Sequence, residues 1–218
     1  LSHSSAASDV YKRQISNFKG IKLTTLSEHI GSQITDHQQL IKSYQELISL
    51  ADQLLKKGIS IETLDFGGGF GVLDHSDQEL NFQEWEKNLN KILDGKSYKV
   101  IFEPGRYIVA ESCELISKVL YVKQSGDKKI VITDCSFSEY LRPALYDIIP
   151  PIKVLNDSKD MEVYDVAGGI CESTDYLAKD VSLPKVKKGD YLKFLNVGAY
   201  GSSMSSNYNS RPRPLEVM

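Results

Sequence analysis

Apolar residues between positions 40 and 55 recur at Leu40, Ile41, Tyr44, Leu47, Ile48, Ala51, Leu54 and Leu55, the three-and-four spacing of one helix face. Thr35 or Asp36 can cap its start. Lys56 and Lys57 suit the negative end of its dipole, and Gly58 suits the left-handed position just past it. The period then changes. Ile59, Ile61, Leu64 and Phe66 read as a buried strand, which stops at Gly67-Gly68-Gly69-Phe70-Gly71. A second helix is predicted from about Asn81 to Leu93, with Phe82, Trp85, Leu89 and Ile92 on one face and Gly95 behind it. Val100-Ile101-Phe102 is the next short strand, running into Glu103-Pro104-Gly105-Arg106. Strands and helices alternating at this length imply a parallel sheet with crossover helices. Ile15 to Leu26 is too mixed for an assignment.

From about Tyr107 the pattern loses its helices. Ile108-Val109, Glu114 to Val122, Lys129 to Thr133 and Tyr191 to Leu195 read as strands, with turn signals at Gly126-Asp127 and Gly189-Asp190. The expected organisation is a partial β/α domain over 15–108 and a mostly β domain over 109–218, the boundary falling near 107–112. Residues 1–14 (LSHSSAASDVYKRQ) are small and polar, lack the apolar core of a secretory signal, and read as a non-native leader. Pro214 to Met218 reads as the start of a further strand, so both ends look cut. Strand edges and helix faces left uncovered by such a cut would make the isolated piece poorly soluble.

Composition narrows the class without deciding it. The chain has 218 residues, 41% hydrophobic and 25% charged, within the range of globular proteins. A net charge of −3 gives no electrostatic reason to expect nucleic acid or an anionic membrane as partner. No apolar run approaches the roughly 18 residues of a membrane span. Cys113, Cys135 and Cys171 are odd in number and widely spaced, which argues against a disulfide framework or a zinc site and for a reducing compartment, the cytoplasm.

Several stretches could carry chemistry, each with a plainer alternative. Four glycines in the five positions 67–71 free the backbone N–H groups to converge on an anion such as phosphate, or simply make a tight turn. His29 sits in a Gly/Ser-rich turn where an imidazole can lie flat against a planar ring, with the Ser32 hydroxyl nearby; a lone histidine can equally be structural. Glu103 and Arg106, stiffened by Pro104, offer opposite charges to one ligand, or pair with each other. Arg142 and Tyr146 could anchor an acidic group, or be a surface arginine and a packed ring. Cys171, beside Glu172 and after Gly168-Gly169, could donate a proton, or be a small buried hydrophobe. Gly198-Ala199-Tyr200-Gly201 opens a short helix whose N–H groups and tyrosine hydroxyl could reach a phosphate. No metal-ligand spacing, nucleophile elbow, Walker motif or dinucleotide fingerprint is present.

In order along residues 15–218, the runs HIGSQ (His29–Gln33), GGGFG (Gly67–Gly71), EPGR (Glu103–Arg106), LRPALY (Leu141–Tyr146), CESTD (Cys171–Asp175) and GAYG (Gly198–Gly201) resemble the fold-type III, pyridoxal-phosphate-dependent amino-acid decarboxylases, most closely those acting on diaminopimelate. The resemblance implies an α/β fold: the C-terminal part of a TIM-like (β/α)8 barrel that binds the cofactor, followed by a mostly β domain of Greek-key or sandwich type. It implies that His29 stacks on the pyridine ring, that Ser32, Gly67, Gly68, Gly69, Gly71, Gly105, Arg106 and Tyr200 help hold the cofactor, and that Glu103 pairs with the ring nitrogen. Cys171 would be the proton donor, reaching the site across a homodimer interface. Arg106, Arg142, Tyr146 and Tyr200 would contact the substrate, with Glu172 on its distal amino group.

That set implies a substrate with both a distal carboxylate and a distal ammonium: meso-2,6-diaminopimelate, giving L-lysine and CO2. The family's Schiff-base lysine lies well before HIGSQ, and only Lys12, Lys19 and Lys22 precede it here, none in the expected motif. The chain is therefore expected to be a C-terminal fragment, inactive alone. Asp134–Glu139 and Thr25–Glu28 also differ from the family's usual runs. The competing readings are a decarboxylase for arginine or a carboxylated polyamine, and a non-catalytic paralogue that binds cofactor or partner.

Overall fold

The computed structural model describes residues 20–73 and 79–218. They fall into two units, residues up to Gly69 with Asn81–Glu103, and Phe70–Leu80 with Pro104–Met218.

The first unit is a β-α-β-α-β run. Strands β1 (Thr25–Ser27), β2 (Thr63–Asp65) and β3 (Lys99–Ile101) form a parallel sheet in that order, Thr25 opposite Thr63 and Thr63 opposite Lys99. Helix α1 (His37–Lys56) links the first two and α2 (Phe82–Leu93) the last two. Of the two candidates for the first N-cap, Asp36 does the work, its carboxylate accepting from the backbone N–H of Gln38 at 2.8 Å. Gly58 follows the helix with φ +81°. The α1 face named by the sequence pattern buries Leu40, Ile41, Tyr44, Leu47, Ile48, Ala51 and Leu54, while Leu55 is exposed. Tyr44 stacks on Phe66 at 4.2 Å between ring centroids, and Trp85 of α2 meets Phe102 edge-on at 5.4 Å.

Strand β2 is shorter than the apolar run Ile59–Phe66 suggests. The N–H of Ile59 bonds back to Leu54 at the end of α1, so the chain is still leaving the helix there. Strand β1 lies where the sequence pattern supports no assignment.

The second unit holds a six-stranded sheet in the order β6-β9-β4-β5-β7-β8, whose edge strands β6 and β8 approach each other so that it nearly closes. The strands are β4 (Leu115–Ser125), β5 (Lys128–Thr133), β6 (Ile152–Val154), β7 (Met161–Ala167), β8 (Tyr176–Pro184) and β9 (Tyr191–Phe194). Only the β5–β7 pair is parallel. Gly126-Asp127 makes the two-residue turn between β4 and β5. Val119, Val131, Tyr140, Tyr164, Val166, Leu177, Leu192 and Phe194 fill its core.

Two expectations fail here. Ile108-Val109 is not a strand but the end of a short helix, α3 (Arg106–Val109). The N–H of Ile108 bonds to Gly105 at 3.2 Å and the Ser112 hydroxyl donates to the Val109 carbonyl at 2.7 Å, so local turn bonds override β-branched preference. No strand forms over 214–218 either: Pro212 and Pro214 lack N–H donors, and Leu215 is exposed. The sequence pattern also gives no warning of α4 (Arg142–Tyr146), which has proline at its start.

Candidate active site

In a parallel sheet the loops after each strand emerge at one edge, the carboxyl edge, where α/β proteins place their ligands. β1, β2 and β3 end in HIGSQ, GGGFG and EPGR respectively. Backbone bonds sew these loops together. The Glu28 N–H donates to Asp65 at 3.0 Å, the Ile34 N–H to Gly69 at 2.9 Å and the Glu103 N–H to Gly67 at 2.7 Å. Gly67 and Gly69 have φ of +64° and +94°, and a Cβ on either would lie 2.2 Å from the Glu28 carbonyl oxygen or 2.3 Å from that of Gly31. Both glycines are thus required by conformation and by close backbone approach. The Gly68 N–H points at His29 Nδ1, 3.4 Å away. His29, Ser32 and Glu103 are exposed at this edge, an imidazole, a hydroxyl and a carboxylate around bare backbone.

The second unit brings together two further motifs. Arg106, at the start of α3, lies over the Tyr200 ring at 5.1 Å. Gly105, Arg106, Val109, Gly198, Ala199, Tyr200 and Ser203 line a hollow of about 360 Å³. Gly198 permits this approach, since a Cβ there would stand 1.8 Å from the Val109 carbonyl oxygen. Tyr200 takes φ +63°, the left-handed region, with its ring half in solvent. Gly71 is buried, and the neighbouring Val72 packs with Ala110 and Ala199.

Arg142 is buried at the start of α4, its Nε without a hydrogen-bond partner, while Tyr146 at the other end is exposed. Cys171 and Glu172 lie exposed in the loop between β7 and β8, so Cys171 is not a buried small hydrophobe. α4 and this loop share a hollow of about 430 Å³, lined among others by Pro143, Ala144, Asp147, Ser173, Thr174 and Lys179.

Residues that the motif reading does not single out fix this loop. Asp175 is buried and accepts from the N–H groups of Phe137 and Ile170, both at 2.8 Å, while the Ser136 hydroxyl accepts from Gly169 at 3.0 Å. Buried Glu139 accepts from the Ser136 N–H and the Ser138 hydroxyl, and Arg211 Nε donates to it at 2.7 Å. That pairing holds the Arg211 guanidinium charged even more firmly than usual. The Tyr208 hydroxyl donates to Glu172. A carboxylate closing the CESTD run was a visible hint for Asp175; nothing nearby in sequence announces Tyr208. Among the described residues no group of three or more His, Cys, Asp or Glu side chains could hold a metal ion.

A family model described as pyridoxal-dependent decarboxylase, C-terminal sheet domain, matches residues 16–198. The chain belongs to the pyridoxal-dependent decarboxylases. It is similar to diaminopimelate decarboxylase of Helicobacter pylori, 42% identical over 191 residues, covering 87% of this chain and 47% of that protein. The Haemophilus influenzae enzyme is 38% identical over 215 residues, covering 97% and 51%. The crystal structure of the H. pylori decarboxylase complexed with L-lysine superposes with a TM-score of 0.83 at 38% identity, over 92% of this chain and 50% of that one. The M. jannaschii decarboxylase in co-complex with L-lysine gives 0.84 at 33% identity, over 97% and 50%. The chain spans about half the length of these decarboxylases. No helix among its described residues is long and apolar enough to cross a membrane.

Proposed function

We propose that this chain forms part of a pyridoxal-phosphate-dependent carboxy-lyase that converts meso-2,6-diaminopimelate to L-lysine and CO2. The observation that carries the reading is the convergence of the HIGSQ loop, Gly67–Gly69 and Glu103 at one carboxyl edge, in a member of the pyridoxal-dependent decarboxylases. The parallel sheet is read as part of a (β/α)8 barrel.

The residues at that edge suit the cofactor. Backbone at Gly67–Gly69 is stripped of side chains, with a flat imidazole on one side and an exposed carboxylate on another. His29 would lie against the pyridine ring. Ser32 and the remaining glycine N–H groups of the run would hold the phosphate, those of Gly67 and Gly68 being directed at Asp65 and His29. Glu103 would hold a proton at the ring nitrogen. When bound, pyridoxal phosphate supplies the electron sink for loss of CO2. Arg106 and Tyr200 are read, with Gly105 and Gly71, as anion contacts to phosphate or substrate carboxylate. Buried Arg142, whose Nε has no partner, and Tyr146 would take the distal carboxylate, and Glu172 the distal ammonium. Exposed Cys171 would return a proton after CO2 leaves, in a homodimer where each chain's Cys171 loop serves its partner's cofactor.

The test is CO2 release by the protein expressed from the longest reading frame containing this sequence, supplied with pyridoxal phosphate. meso-Diaminopimelate, L-ornithine and L-arginine are assayed side by side. Release from diaminopimelate alone, much reduced in Cys171→Ala, is the expected result. Release only from ornithine or arginine would discard the roles given to Arg142 and Glu172. No release from any would discard the enzymatic reading.

A further inference from the structure

Glu172 is exposed on a loop, and a free glutamate there would sample many rotamers. The structure does not leave it free: its Oε1 accepts the Tyr208 hydroxyl. Tyr208 is itself held. Its ring packs against Phe137 at 5.6 Å, and Phe137 is tied to the Cys171 loop through Asp175. The two residues after it, Asn209 and Ser210, both sit in the left-handed region at φ +58° and +57°, conformations that persist only where surroundings impose them. The imposing contact comes next. Arg211 donates from Nε to buried Glu139 and from its Nη2 to the Asp134 carbonyl. A strained turn, bolted down at Arg211, thus presents one phenol to one carboxylate.

We propose that Tyr208 is a positioning residue that orients Glu172 and thereby makes the enzyme select substrates ending in an ammonium group, an inference that rests on the reading of Glu172 above. The hydrogen bond occupies Oε1 and leaves Oε2 as the acceptor for the ligand. The contact also marks Tyr208, whose phenol is pushed up, first by its hydrogen bond to Glu172 and then by the carboxylate's charge.

The experiment uses the same full reading frame loaded with pyridoxal phosphate, in four forms: unsubstituted, Tyr208→Phe, Glu172→Gln and the double variant. Tyr208→Phe keeps the ring against Phe137, so the fold is retained. NMR titration of Cζ-labelled tyrosine, with Tyr208 assigned by its loss in Tyr208→Phe, reads the contact without turnover. Glu172→Gln is expected to lower the Tyr208 pKa toward the ordinary value. In steady-state kinetics Tyr208→Phe is expected to raise KM for diaminopimelate about three- to tenfold with little change in kcat, the worth of one hydrogen bond. The double variant should be no worse than Glu172→Gln alone, because Tyr208 acts through Glu172. A Tyr208 titration unmoved in Glu172→Gln overturns the contact. Additive losses in the double variant, or an unchanged KM in Tyr208→Phe, overturn the positioning role while leaving the decarboxylase reading intact. Absence of turnover in the unsubstituted protein overturns that reading, and the specificity role with it, whatever the titration shows.

Discussion

The carboxylate of Asp175 accepts the backbone N–H of Phe137, 38 residues away in sequence, at 2.8 Å. With its second oxygen it accepts Ile170 at 2.8 Å, so one side chain joins the segment leading to Arg142 with the loop bearing Cys171 and Glu172. Gly168 makes room for it: a Cβ there would lie 2.4 Å from Asp175 Oδ2 and 2.3 Å from Ser136 Oγ. Replacing Asp175 by alanine would strand two N–H groups beneath the loop. We expect Asp175→Ala to cost about 2–4 kcal/mol, the cost of two donors left unmade. The Cys171 thiol should also react faster with iodoacetamide as the loop loosens. Urea unfolding and alkylation rates check this, and an unchanged midpoint together with an unchanged rate would refute it.

Gly67 and Gly69 separate conformational strain from steric overlap when compared with Gly58. All three have positive φ, but a Cβ at Gly58 meets nothing within 4 Å. Gly58→Ala should cost about 1 kcal/mol, the left-handed penalty alone. Gly67→Ala and Gly69→Ala drive a Cβ into backbone carbonyl oxygens that cannot swing aside, so each should cost more than about 2 kcal/mol and weaken pyridoxal phosphate binding. Equal losses at all three sites would mean that the close approach to Glu28 and Gly31 relaxes freely.

How much of this was readable in advance follows from where each bond partner sits. Helix α1 carries its own signals, from Asp36 at the cap through the apolar stripe to Gly58, so its start and end agree with the sequence pattern to within a residue or two. Strand β7 carries none. Tyr164, Asp165, Val166 and Ala167 are buried in succession, which erases the alternation of a half-buried strand. Its buried Asp165 is satisfied by the Asp180 N–H and the Lys128 ammonium, both remote in sequence. β8 is likewise bent at Asp180, which takes φ +52°. The motif loops were legible because their glycines, prolines and charges are local. Tyr208 was not, because the carboxylate it holds lies 36 residues away, and Asp175 was only half so, one of its partners being Ile170 in the same loop and the other Phe137, 38 residues off.

Tyr200 occupies a conformation that a glycine would adopt without strain, yet a ring is retained there above Arg106. Non-glycine residues in the left-handed region cost about 1 kcal/mol or more. The cation–π contact returns only about 0.5–1 kcal/mol at an exposed site. The cation–π contact alone therefore does no more than offset the strain. Tyr200→Gly relieves the strain but loses the buried half of the ring and loosens the unfolded chain, so it should lower the unfolding midpoint of the apo protein only slightly while weakening pyridoxal phosphate binding. A cofactor titration followed by absorbance, beside thermal melting, reads both. A large drop in stability with unaltered cofactor affinity would make Tyr200 a packing residue.

Alkaline pH should act on Tyr44. Its ring is almost wholly buried against Phe66, and burial pushes its phenol from the ordinary value of 10.0 up to about 12. The folded protein then holds the proton over a range where the unfolded chain has lost it. The native state binds more protons there, so stability falls as pH rises. Tyr44's contribution is complete below about pH 10, erodes between about 10 and 12, and is gone above the folded value. Across two pKa units it amounts to at most about 3 kcal/mol. Tyr44→Phe cannot ionise and should show a flatter decline over that window, measured as the urea midpoint of the α1 segment by hydrogen exchange or fluorescence at pH 9, 10 and 11. Parallel declines in the two proteins would place the alkaline sensitivity elsewhere.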